Sequence, residues 1–90
     1  MNLTSQTTQY KVNTKVQNGL GVLARITILL RKFNVTIQSI KTIPLKNEKN
    51  FYNIKLLLET NKSPRGFSLV MKKLERLVPV VEVAYEKLGE

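Results

Sequence analysis

Apolar and polar positions along the chain follow two alternating periods. Tyr10, Val12, Thr14 and Val16 alternate with Lys11, Asn13 and Lys15, the two-residue period of a strand with one face on a core. From Val22 the period lengthens, and Val22, Leu23, Ile26, Leu29, Leu30 and Phe33 form one stripe at helical spacing. Arg31 and Lys32 suit the negative end of that helix, and Asn34 just beyond them tolerates the left-handed backbone that ends a helix. Val35 to Ile43 is rich in β-branched residues and predicts a second strand that stops at Pro44. The polar connection Leu45 to Asn50 is short enough for a hairpin. It leads into a third strand, Phe51 to Glu59, with Tyr52, Ile54, Leu56 and Leu58 on one face. Ser63-Pro64 reads as an N-cap followed by proline at the first helical position. The stripe Phe67, Val70, Met71, Leu74, Leu77 and Val78 predicts a second helix ended by Pro79. Val80, Val81, Val83 and Tyr85 then make a short edge strand.

The order is βαββαβ. Two helices on one face of a four-stranded antiparallel sheet bury both stripes with right-handed crossovers, so the expected class is α+β with a ferredoxin-like arrangement. The opposite face would carry Lys11, Asn13, Phe51, Asn53, Lys55 and Leu57. One domain is expected over 10–86, with a polar tail over 1–9 and a short C-terminal tail over 87–90.

Composition narrows the chemistry. Ninety residues support one modest core, so an interface with another chain is expected. There is neither cysteine nor histidine, which excludes a disulfide framework and a thiolate nucleophile and leaves the four serines without an imidazole to activate them. The six acidic residues are all glutamates, scattered without a metal-ligand spacing. We therefore expect no enzyme, no metal and no cofactor. No apolar run approaches the roughly 20 residues that span a bilayer. The first nine residues lack the apolar centre of a signal peptide, and the expected location is cytoplasmic, away from membranes. A net charge of +9 draws acidic partners, although the lysines are spread along the chain rather than gathered in one block.

The richest stretch is the entrance to the first helix. Asn18, Gly19 and Gly21 place a side-chain acceptor and two residues without a Cβ where the first turn leaves backbone N–H groups unpaired. Such an end either caps itself and turns tightly, or receives a small anion such as a carboxylate. Thr36 and Ser39, taken alone, read as ordinary strand residues.

Two segments carry a family resemblance: Asn18 with Gly21-Val22-Leu23-Ala24-Arg25-Ile26, and Phe33-Asn34-Val35-Thr36-Ile37-Gln38-Ser39-Ile40. Ser63-Pro64-Arg65 and Lys73-Leu74-Glu75-Arg76-Leu77-Val78-Pro79-Val80 add to it. Together they resemble an ACT domain, the amino-acid-sensing regulatory module, and more narrowly the short, single-ACT small regulatory subunit of acetohydroxyacid synthase (acetolactate synthase). The resemblance implies a homodimer with sheets joined side by side. It also implies an activating role toward the thiamine-diphosphate-dependent catalytic subunit in branched-chain amino acid biosynthesis, and an effector such as valine held between subunits. By position, Asn18 and the N–H groups around Leu20, Gly21 and Val22 would take the effector's polar ends, and Thr36 and Ile37 of the neighbouring chain would complete the pocket. Thr36 stands where the family commonly has asparagine. It loses the amide's paired donor and acceptor, so valine affinity is expected to be millimolar or weaker.

Two other readings stay open on the residues. One is a free-standing ACT sensor serving another enzyme. The other is a basic ferredoxin-like RNA-binding module, suggested by Lys49-Asn50-Phe51-Tyr52-Asn53-Ile54, in which only Phe51 would offer a stacking ring on the exposed face. The expected partner set is a catalytic subunit and a second copy, with no nucleic acid.

Overall fold

The structure, a computed structural model, describes residues 7–17 and 20–89. Its elements run β1 (Thr8–Gln17), α1 (Leu20–Lys32), β2 (Thr36–Pro44), β3 (Phe51–Thr60), α2 (Pro64–Glu75) and β4 (Val80–Lys87). The strands form one sheet in the order β2-β3-β1-β4, every neighbouring pair antiparallel. This is the ferredoxin-like βαββαβ fold that the two periods predict.

The alternation decides which face is covered. Tyr10, Val12, Thr14 and Val16 of β1 and Ile54, Leu56, Leu58 and Thr60 of β3 are buried beneath Val22, Ile26 and Leu30 of α1 and Phe67, Val70, Met71 and Leu74 of α2. The Tyr10 and Phe67 rings stack with centroids 3.7 Å apart, and Tyr85 stands edge-on to both. Strand β3 pairs with β1 in unbroken register from Thr8↔Thr60 to Gln17↔Phe51. That register puts Lys11, Asn13, Lys15, Phe51, Asn53, Lys55 and Leu57 together on the face away from the helices.

Both α1 and α2 end as their sequences dictate. Beyond α1 the Val35 N–H donates to the Leu30 carbonyl at 2.9 Å and the Asn34 N–H to Arg31 at 3.1 Å, with Asn34 at φ 60°. These are the two bonds of a Schellman cap, and the buried pair Leu30 and Val35 supplies its apolar contact. At the start of α2 the Ser63 hydroxyl accepts from the Gly66 N–H at 3.1 Å, with Pro64 inside the first turn.

Several boundaries differ from the sequence expectation. Strand β1 begins at Thr8, so Thr8 and Gln9, expected in the tail, pair with Thr60 and Glu59. Lys87 also belongs to the sheet, opposite Tyr10, and the Leu88 N–H donates to Gln9 at 2.8 Å. Helix α2 stops at Glu75, which leaves Leu77 and Val78 in a turn with Val78 73% exposed. Val35 belongs to the α1 cap rather than to β2, while Pro44 closes β2, an edge strand, opposite Tyr52. Register shifts at Lys15/Val16 on the β4 side and at Ile37/Ser39 in β2 mark bulges that no local pattern announces.

Candidate functional site

The predicted site residues fall into two groups at opposite ends of α1. Asn18 and Gly19 lie outside the described residues. Leu20 opens α1, Gly21 is exposed, and the Val22 side chain is 1% exposed within the core, so only its backbone is free to meet a ligand. A Cβ built on Gly21 would meet nothing within 4 Å. Among the described residues, nothing crowds the position in a way that requires glycine. Thr36 and Ile37 sit at the other end, one helix away. Thirteen residues of helix rise about 20 Å, so the two groups do not meet within one chain.

Thr36 and Ile37 do line a groove. With Thr27, Arg31, Asn34 and Val35 they bound about 480 Å³ between the last turns of α1 and the start of β2. The Schellman cap builds it, because the left-handed Asn34 turns the chain sharply from helix to edge strand. The Thr27 hydroxyl donates to the Leu23 carbonyl at 2.9 Å and keeps its lone pairs for a donor in the groove. Arg31 brings a guanidinium to the wall and, among the described residues, forms no ion pair. A fork of N–H donors beside two threonine hydroxyls and the apolar Val35 and Ile37 suits a carboxylate with a small aliphatic group attached.

A second hollow of about 320 Å³ continues around Asn34 and Thr36 to Thr7, Glu59, Thr60 and Asn61. There the Thr7 hydroxyl donates to Glu59 at 2.6 Å, and the Gln38 amide donates to the same carboxylate at 2.9 Å. Gln9 in turn donates to Gln38 at 2.6 Å, which fixes the polar rim of β2 against β1 and β3. Arg31 and Asn34 read in the sequence only as helix-ending residues, and Thr27 carried no signal at all. The adjacency of Asn34 to Thr36 was the available clue.

The structure resembles solved proteins more clearly than the sequence resembles known families. No protein-family model matches the chain and no curated protein matches it. The C-terminal domain of MgtC from Mycobacterium tuberculosis superposes with a TM-score of 0.76 at 16% identity, covering 97% of this chain and 94% of that one. The ACT domain from GTP pyrophosphokinase of Chlorobium tepidum superposes with a TM-score of 0.69 at 19% identity, covering 92% of this chain and all of that one, 100%. The fold is ACT-like. A homoserine dehydrogenase from Thiobacillus denitrificans contains a similar unit, with a TM-score of 0.74 at 24% identity over 96% of this chain and 18% of the enzyme.

On this ACT-like frame the groove lies where the exit of α1 meets the start of the edge strand β2. The face of the sheet away from the helices carries Phe51 as the aromatic of β1 and β3, with the Lys15 ammonium 5.2 Å from its ring centroid. Tyr10 is buried on the covered face, and Tyr52 shares that face. One ring already facing a lysine is a poor platform for stacking successive bases.

Proposed function

We propose that this chain is a non-catalytic regulatory subunit that works as a homodimer and activates acetohydroxyacid synthase, with a weak branched-chain amino acid site at the seam between two copies. The groove formed by Thr27, Arg31, Asn34, Thr36 and Ile37 carries the reading. It offers a carboxylate anchor next to aliphatic surface at the position to which the family resemblance assigns the effector.

A second copy of the chain is proposed to supply the other half of the pocket. Strands β1 and β2 both run antiparallel to β3, so they are parallel to each other and α1 runs back between them. Strand β2 is an edge with a row of unpaired backbone groups. Pairing β2 antiparallel with its copy sets each strand start beside the other copy's strand end, where that copy's α1 begins. Gly21 of one chain thereby comes to Thr36 of the other, and N–H groups at the helix entrance face Arg31 across the seam. A ligand bridging two chains in this way biases the dimer, and a dimer docked on an enzyme transmits that bias.

The test is reconstitution with a thiamine-diphosphate-dependent catalytic subunit. The two chains are expected to co-purify and turnover to rise several-fold on addition of this chain. Catalytic subunits that neither bind it nor change their turnover would defeat the reading.

A further inference from the structure

On the sheet face away from the helices, Lys15 and Glu82 stand directly opposite each other on β1 and β4. Cross-strand neighbours on one face lie about 5 Å apart at Cβ, and opposite charges there normally pair. These do not. The Lys15 ammonium turns instead to Glu48 in the β2–β3 connection, at 2.8 and 3.0 Å from its two oxygens, and Glu82 forms no ion pair among the described residues. The next row places Asn13 between Lys55 and Ala84. Asn13 Oδ1 is enclosed by protein and has no donor among the described residues, an unfavourable state for a buried acceptor. Asn13, Lys15, Leu45, Asn53, Glu82 and Ala84 together line a groove of about 270 Å³.

We propose that this groove is a second ligand site, for a small zwitterion carrying a primary ammonium and a carboxylate. The ammonium lies between the Glu82 carboxylate and Asn13 Oδ1, supplying both with the donor they lack. The soft terminal torsion of asparagine turns that oxygen into the groove. The carboxylate lies toward Lys15, whose position Glu48 fixes, and toward the Asn53 amide opposite it. Leu45 and Ala84 give the groove an apolar wall for a short aliphatic group. A dimer joined through the β2 edge leaves this face open, so the site goes beyond the proposed seam site and is occupied independently of it.

The experiment is amide and methyl NMR of the full-length chain titrated separately with glycine, methylammonium and acetate, reading the Asn13 and Asn53 side-chain amides and the Ala84 methyl. Glycine is expected to shift all three saturably, with methylammonium and acetate each at least ten-fold weaker. Glu82→Gln should weaken glycine at least ten-fold, whereas Thr36→Ala, which touches only the seam groove, should leave it unchanged. The proposal is overturned if glycine leaves these signals in place, if acetate alone matches it, or if Glu82→Gln binds as well as the parent chain. Valine shifts at Thr36 and Asn34 with no glycine shift at Asn13, Asn53 or Ala84 would sink this site while sparing the seam, and glycine shifts at those three with no valine shift at Thr36 or Asn34 would do the opposite.

Discussion

The Val35 N–H donates to the Leu30 carbonyl across 2.9 Å, folding the chain back at Asn34, whose φ is 60°. This bond ends α1, seals the core between two buried aliphatic residues and sets Thr36 at the head of the edge strand. A β-carbon is strained in that backbone and glycine is not. Asn34→Gly is therefore expected to keep or slightly raise stability, whereas Asn34→Ala should cost about 1–2 kcal/mol in urea unfolding. Equal losses from both would contradict the cap.

Arg25 reaches from the middle of α1 to the turn before β4, its Nη1 donating to the Val78 carbonyl at 2.8 Å. The same turn is held from β1, where the Gln17 N–H donates to Pro79 at 3.1 Å. The Arg25 bond is exposed, so Arg25→Ala should lower stability by about 0.5–1.5 kcal/mol, with hydrogen exchange at Val80 and Val81 rising more than in β3. Unchanged exchange in β4 would show that the contact holds nothing in place.

The fold was legible because each of its decisive signals is local. The stripes of Val22, Ile26 and Leu30 and of Phe67, Val70, Met71 and Leu74, the Ser63-Pro64 start and the left-handed Asn34 all act within a few residues. What escaped depends on distant partners. Thr8 joins the sheet because Thr60 lies opposite, and Val81 is exposed because β4 slips past Lys15. Leu77 leaves the helix although its spacing continues the stripe. The site was half legible: Thr36 and Ile37 were placed by resemblance, but Arg31 and Thr27 become wall residues only once the helix packs beside β2. The orphaned Asn13 oxygen and the unpaired Glu82 are consequences of strand register, which no stretch of sequence displays.

Thr36 is the residue in the groove best placed to set affinity for an amino acid. Its hydroxyl offers one donor and one acceptor atom, whereas an asparagine amide offers two donors and a separate acceptor, and one added hydrogen bond is worth about 1 kcal/mol, or roughly five-fold in affinity. Thr36→Asn is expected to tighten valine binding by at least that factor in calorimetry, and Arg31→Gln to weaken it. Valine affinity insensitive to both substitutions would place its site elsewhere.

In the proposed dimer the helix entrance of one chain faces the strand start of the other. The chain has no cysteine, and a Cβ at Gly21 meets nothing within 4 Å among the described residues, so single thiols can be introduced. Gly21→Cys and Thr36→Cys chains, purified separately, are mixed to exchange subunits and treated with a short bis-maleimide. A covalent species of twice the 10.3 kDa chain mass that forms in the mixture, and not in either variant alone, is the predicted result. A mixture that yields no such product, or yields no more than each variant by itself, would contradict the seam.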